Sequence, residues 1–369
     1  MLCRPRCDEN PIGPVERLIP GIPPGHKGHV ISLNALAVTV TTPDCPFPAD
    51  LRRHTLGPST SGTPRGTGTK GKKQMSRAPV GVIGAGRVGA VLAAKFRAAG
   101  HEVVGVSGGS PASRLRIQTL LPGVETLTPE QVVEGADIVV LAVPDDALAE
   151  VAQELSEFVR PGQNILHTSG RHGLDVLAPM AAAGARTIAF HPAMTFTGTE
   201  VDLDRQCAFG LTARPDDRAV AEALVAELDG TPEWIDDADR TMYHAALSHG
   251  GNHLNTLVSQ AMDVLRSAGV ADPSAVLRPL LTAGLENALA YGDAALTGAV
   301  ARGDVNTVRA HTETLAGETE ILDSYIALAR ATAARAVASG RIDVATANAL
   351  RQVLSEAEWE ALAAEVVVA

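Results

Sequence analysis

A parallel α/β sheet followed by an all-helical second half is the fold class that this 369-residue chain predicts. Three observations predict it. Short, wholly apolar runs such as Val80–Ile83 and Ile138–Val143 alternate with helical stretches, as buried parallel strands do. A glycine-rich turn follows the first of these runs directly. From Asp239 onward the apolar residues recur at helical spacing.

Composition sets a different segment in front of this pattern. Residues 1–78 hold 11 of the 31 basic residues but 5 of the 42 acidic ones, and 11 of the 23 prolines. They form a basic leader on an acidic body. Ser59 to Lys73 has the make-up of a flexible linker, so residues 1–76 are expected to be a disordered N-terminal extension. Asp8, Glu9 and Glu16 spoil the charge pattern of a secretory signal. The compact part of the chain is expected to start near Met75, with the preceding residues dispensable. Residues 77–236 are then expected to form the dinucleotide-binding domain, and 237–369 a helical substrate and dimerisation domain.

The net charge of −11 argues against a nucleic-acid binder, because phosphate contacts need clustered Lys and Arg. No apolar run approaches the roughly 20 residues that span a bilayer. Only Cys207 lies beyond the leader, so an internal disulfide is not expected there and a reducing cytoplasm fits. No HExxH or CxxC spacing occurs, and no metal is expected.

Gly84-Ala85-Gly86-Arg87-Val88-Gly89 follows the first strand and opens a helix over Val88 to Ala99. This GxGxxG stands in its proper strand–turn–helix context. Gly84 permits the tight turn, Gly86 lets backbone approach a pyrophosphate, and Gly89 allows close helix–strand packing. The helix N-terminus offers free N–H groups to phosphate. A Rossmann-like sheet follows from this context. After the second strand, Glu102 to Val106, an NAD binder places an Asp or Glu. Here Ser107, Ser110 and Arg114 stand instead, with Arg116 beyond them, so NADP (as NADPH) is preferred over NAD. Ala142, Val143 and Pro144 end the third strand and complete the expected cofactor set. Asp145 is expected to cap the next helix.

Strands at Asn164 to Thr168 and Thr187 to Phe190 end in His167-Thr168-Ser169-Gly170 and His191-Pro192. Ligands bind beyond the carboxyl ends of such strands, so Ser169 and His191 are candidate site residues. Short strands are expected at Gln206 to Leu211 and Trp234-Ile235. Tyr243 to Ala268 reads as one long helix. At 100° per residue, Leu247, Leu254, Leu257, Val258, Ala261 and Leu265 share an apolar face, with His244, Ser248, Asn252, Asn255 and Ser259 along its edge. His249, His253 and Gln260 point toward solvent. Further helices are expected to start at Asp272-Pro273-Ser274 and Asp304, and to run over Glu318 to Ala338 and Glu356 to Val368.

At GVIGAGRVG, LAVPDDAL, HTSG, FHPAMTF, YHAALSHGGNHL and LTGAVARGD the chain resembles bacterial two-domain proteins. These join a Rossmann-like domain to a helical C-terminal domain of unknown function. More remotely it is similar to pyrroline-5-carboxylate reductases, ketopantoate reductases and β-hydroxyacid dehydrogenases. The resemblance implies an oxidoreductase, a homodimer and, as a leading role, reduction of 2-dehydropantoate (ketopantoate) in pantothenate synthesis. It departs at one place. β-Hydroxyacid dehydrogenases and ordinary ketopantoate reductases carry a catalytic Lys on the long helix four residues before an Asn, whereas here position 248 is Ser and no Lys follows Lys95.

Histidine is therefore the expected general acid, His244 first and His191 second, with Asn252 and Ser169 orienting a small keto- or imino-acid substrate. Two other functions fit the sequence. One is a pyrroline-5-carboxylate-type imine reductase, whose iminium substrate brings its own proton. The other is a non-catalytic NADP-binding regulatory protein.

Overall fold

The computed structural model describes residues 77–368, with side chains through 361. The expected disordered extension and the start near Met75 lie outside the described residues.

The first half alternates as its apolar runs require. In chain order come β1 (Val80–Ile83), α1 (Arg87–Ala98), β2 (Val103–Ser107), α2 (Pro111–Leu120), α3 (Pro129–Gly135), β3 (Ile138–Leu141) and α4 (Asp145–Leu155). Then come β4 (Asn164–His167), α5 (Ala178–Ala182), β5 (Arg186–Pro192), β6 (Ala208–Ala213), α6 (Arg218–Glu227) and β7 (Thr231–Trp234). They build a seven-stranded sheet in the order β2-β1-β3-β4-β5-β6-β7. The chain leaves β1 for β2 on one side and returns to β3 on the other, so the topological switch lies between β1 and β3.

β1 to β5 are parallel; β6 runs antiparallel to β5, with His191 opposite Gly210. That reversal is not visible in apolar patterning, which is the same for either direction. Phe190 and Phe209 pack across it with ring centroids 4.7 Å apart, and burial of such side chains contributes about 1.5–3 kcal/mol each. Helices cover both faces. Phe96 and Leu92 of α1 join one core cluster, and Val132, Val133 and Leu148 of α3 and α4 another.

Boundaries moved where local chemistry differed from the expectation. Asp145 does not cap α4: Pro144 occupies the cap position with no side-chain bond, and Asp145 is the first helical residue, ion-paired to Arg171 at 3.2 Å. Proline's fixed φ lets the chain enter the helix without a cap there.

The second half is helical: α7 (Arg240–Leu247), α8 (His253–Ser267), α9 (Pro273–Tyr291), α10 (Gly298–Arg302), α11 (Val305–Leu315), α12 (Thr319–Ala338) and α13 (Val344–Val368). Asp272 and Asp304 accept backbone N–H bonds at the starts of α9 and α11, as expected of N-caps. The last helix begins at Val344, well before Glu356, because its first turns bury Ala347 and Leu350 against α12.

The expected long helix carries a π turn at Ser248–Asn252 between α7 and α8. Such a turn inserts about one extra residue, so side chains beyond it leave the face that a 100° step assigns. Gln260, expected toward solvent, bonds instead to Ser324 Oγ at 3.1 Å and so ties α8 to α12. Among the described residues no helix is long and apolar enough to cross a membrane.

Candidate active site

The carboxyl ends of β1, β3, β4 and β5 share one edge of the sheet, and every candidate except Asn252 lies on that edge or on the helices beside it. The glycine loop is shaped by contacts that exclude side chains. Gly84 has φ +98°, and a Cβ there would lie 2.5 Å from the Ala142 carbonyl oxygen. A Cβ on Gly89 would overlap the Gly84 oxygen and come 2.9 Å from the Ala142 Cβ. The N–H groups of Gly84 and Ala85 donate to the Ser107 carbonyl at 3.1 and 2.8 Å, fastening the loop to β2.

Gly86 is the opposite case. It precedes α1 with no capping side chain, and nothing lies within 4 Å of where its Cβ would be. The first turn of α1 thus has no capping side chain, and backbone at Gly86 is free of side-chain contacts. A dinucleotide's pyrophosphate fits this cradle. The backbone of Ala142 and Val143 lies against Gly84, with exposed Pro144 beyond them.

At the end of β2, Ser110 caps α2, accepting from Ser113 N at 3.0 Å, and Arg114 donates to the Gly109 carbonyl. Beyond them Arg116 and Arg87 converge on Gly198, whose Cβ would sit 2.7 Å from Arg116 Nε and 3.0 Å from Arg87 Cγ. The loop carrying Gly198 is held by buried Asp202. One carboxylate oxygen accepts from Thr197 N (2.8 Å), Thr197 Oγ1 (3.0 Å) and Gly198 N (2.8 Å). Neither this loop nor its approach to Arg116 of α2 was expected from the sequence.

On the reaction side, His167 is fully buried and fixes the turn after β4. Ser169 N donates to its Nδ1 at 3.2 Å, so Nε2 carries the proton and donates to the Gly173 carbonyl at 2.9 Å. Burial pushes this imidazole down to about 3, and it is neutral at ordinary pH. Ser169 is buried too; its Oγ accepts from His172 N at 3.2 Å and keeps its own proton free to donate.

His191 on β5 lies 2.9 Å, through Nδ1, from Tyr243 Oη on α7. Burial above all, with the nearby positive charge of Arg240, pushes it down to about 4. His244 stands 6.1 Å from His191 between ring centroids. Gly170 lies between the two rings: its Cβ would be 2.5 Å from His244 Cδ2 and 3.1 Å from His191 Nε2. Asn252 is exposed at the far end of the π turn, and no described contact joins it to His191 or Ser169.

Arg240, the first residue of α7, is 1% exposed. Its guanidinium donates to the Gly210 carbonyl and Thr212 Oγ1 at 3.2 Å and to the Ser169 carbonyl at 2.7 Å. It thereby ties α7 to β6 and to the turn after β4. Among the described residues it has no ion-pair partner, Nε has no hydrogen-bond partner, and burial lowers its affinity for its proton. A buried, unpaired cation favours anionic charge beside it. No group of three potential metal ligands occurs among the described residues.

Comparison with known proteins matches two successive stretches of the chain. Residues 64–192 match the Rossmann-like domain, and residues 207–332 match a domain of unknown function (DUF2520). The chain joins a Rossmann-like domain to a DUF2520 domain. A Bacteroides fragilis protein provisionally described as an NADP oxidoreductase superposes with TM-score 0.62 at 24% identity, covering 70% of this chain and 98% of that one. Pyrroline carboxylate reductase of Plasmodium falciparum, solved with NADP bound, gives TM-score 0.50 at 14% identity over 71% of this chain and 99% of that one. At these identities the likeness is one of fold. The ketol-acid reductoisomerase (NADP(+)) of Mycobacterium ulcerans is 36% identical over 99 residues, which is 26% of this chain and only 28% of that enzyme.

The cleft draws on both domains: His191 and Ser169 come from the Rossmann-like part, and Arg240, Tyr243 and His244 from the DUF2520 part. Tyr243 and Arg240 were not among the residues expected from the sequence. A signal existed for Arg240, which stands four residues before the expected His244 and so shares its helix face, with Tyr243 three residues beyond Arg240.

Proposed function

We propose that the protein is an NADP(H)-dependent oxidoreductase that reduces the C=O group of a small carboxylic acid, with 2-dehydropantoate the first substrate to test. The observation that carries this reading is the sharing of one sheet edge by two features. One is the open helix N-terminus behind Gly86; the other is a neutral imidazole, His191, facing Gly170. When bound, NADPH supplies hydride to the substrate carbon.

The chain's own residues do the rest. With Nδ1 accepting from Tyr243, His191 carries its proton on Nε2 and offers it to the substrate oxygen. Ser169 Oγ donates a second hydrogen bond, and the unpaired charge of Arg240 favours an anionic substrate. His244 closes the cleft over Gly170. In the cofactor loop Gly84 and Gly89 fix the shape, while Gly86 and the α1 N-terminus receive the pyrophosphate. NADP is favoured over NAD because no carboxylate stands from Ser107 to Arg116 to repel a 2′-phosphate, while Arg87, Arg114 and Arg116 supply positive charge.

We also propose that the protein works as a cytoplasmic homodimer. Helices α8 and α9 expose Leu254, Leu257, Leu280 and Leu289, and a second copy of these helices is the cover that closed two-fold symmetry provides.

NADPH oxidation against ketopantoate, pyrroline-5-carboxylate and a set of 2- and 3-keto acids tests the function. The expected result is turnover with ketopantoate, reduced about 100-fold in His191→Gln with NADPH affinity kept within about twofold. Turnover with pyrroline-5-carboxylate alone would support the imine-reductase reading, which the missing Lys also fits. Tight NADPH binding without turnover would make the protein a regulatory module. No NADPH binding at all would end the proposal.

A further inference from the structure

A reductase built on this site faces one chemical problem, and the structure holds a solution to it. An alcohol product needs a proton, the usual lysine is absent, and His191 lies in a setting that keeps it neutral. A neutral imidazole that gave up its Nε2 proton alone would become an imidazolate anion, far less stable than a phenolate.

We propose that Tyr243 supplies, through His191, the proton taken up by the reduced substrate, and that Arg240 stabilises the phenolate left behind. The proposal rests on the reductase reading above. Three observations place the parts. Tyr243 Oη is 2.9 Å from His191 Nδ1, the ring nitrogen turned away from Gly170. The Arg240 guanidinium carbon is 5.7 Å from the centre of the Tyr243 ring. Arg240 is buried, has no ion-pair partner among the described residues and keeps an unused Nε–H.

The electrons and protons balance. Hydride from the reduced nicotinamide dinucleotide forms the new C–H bond, and the C=O pair moves onto oxygen. The His191 Nε2–H bond breaks as O–H forms; the Tyr243 Oη–H bond breaks as Nδ1–H forms. His191 begins and ends neutral. The negative charge that began on the substrate oxygen finishes on the Tyr243 phenolate, beside a guanidinium that has no ion-pair partner among the described residues. A proton from water at Nε2, with return of the Nδ1 proton to Oη, resets the pair. Charge migrates toward Arg240 and never onto an unsupported imidazole.

Burial holds the Tyr243 hydroxyl above its usual range, while Arg240 works in the opposite direction. The other ionisable groups near this relay are His244 on α7, Asp145 at the start of α4, Cys207 before β6 and Asp237 before α7. Tyr243 acts through His191 and does not touch substrate, so it is a positioning and relay residue. Gly210 makes room for it: a Cβ there would lie 2.5 Å from Oη.

The test compares the full-length wild type with Tyr243→Phe, a change that keeps the ring and removes only the hydroxyl. Nitrogen-15 NMR of the histidine rings should show His191 as a single Nε2–H tautomer in the wild type. A mixture containing the Nδ1–H form is expected in the variant. Turnover should fall about tenfold or more, with KM and NADPH affinity within about twofold. A proton inventory in mixed H₂O and D₂O should be curved in the wild type (two protons moving) and linear in the variant. An unchanged tautomer, unchanged turnover or a linear wild-type inventory overturns the relay. Failure of the reductase reading is distinct: it shows as a wild type that binds no NADPH or reduces no member of the panel.

Discussion

β1 with β3, and α9, are made of similar material and are treated differently by the fold. All residues of Val80–Ile83 and Ile138–Leu141 are buried. Along the 19 residues of α9 only Pro273 and Leu277 are, while Leu280, Leu285 and Leu289 face outward. The sheet-bearing half closes on itself: two helical layers cover both faces, and Gly84 and Gly89 are fixed by contact distances shorter than a methyl group tolerates. The helical half completes one core of its own, around Val308, Leu322, Ile326 and Leu350, and leaves a second apolar face open. One half is specified by what it excludes, the other by what it still has to meet.

That difference makes substitutions in the two halves fail in different ways. The largest effect is expected at Gly89. Its Cβ would overlap a backbone oxygen, so Gly89→Ala is expected to cost about 3 kcal/mol, lowering the melting temperature and abolishing NADPH binding together. A variant that melts like the wild type would refute the close-packing account.

Acid comes next. His167 and His191 are held at about 3 and about 4, below their ordinary 6.5, so the unfolded chain binds protons more readily than the folded one below pH 6.5. Stability from these groups is full above that value. It is lost as pH falls toward 3, by up to about 1.4 kcal/mol per pH unit for each imidazole. Chemical unfolding followed from pH 7 to pH 4 checks this. A flat profile, or one unaffected by His191→Gln, contradicts it.

In the helical half, Leu280→Glu with Leu289→Glu should leave the melting temperature of the sheet-bearing half within a few degrees. It should convert a dimer to a monomer in light scattering. A wild type that is monomeric at high concentration removes the second copy as the cover.

Gly86→Ala should have the smallest effect on folding. Its Cβ meets nothing within 4 Å, so stability should change by less than about 1 kcal/mol, while NADPH affinity drops several-fold because the methyl group enters the phosphate cradle. Equal loss at Gly86 and Gly89 would erase the distinction between shaping and binding glycines.

The same contrast governs how much was legible in the sequence. Strand ends and the roles of Gly84 and Gly89 could be read, because each depends on a local pattern: an apolar run, a turn, a helix start. Gly198 could not, since its neighbours Arg87 and Arg116 reach it only through the fold. Tyr243 and Arg240 escaped notice for the same reason. Their meaning lies in His191, Ser169 and Gly210, which are far away in sequence. Asn252 was grouped with His244 by a uniform helical step, and the π turn at Ser248–Asn252 breaks that step. Adjacent Gly250 and Gly251 were the one local hint.

That turn has a consequence for how this helix can change. An extra residue acts as a phase shifter between two otherwise regular helices. α7 is clocked to the sheet by Arg240 and Tyr243, while α8 is clocked to α12 by Gln260. Deleting one residue of this turn would close it to an ordinary α turn and leave α8 facing α12 nearly as it does now, while every residue number beyond it moves by one. The wide turn thus lets the reaction cleft and the apolar face keep their separate settings on one rod.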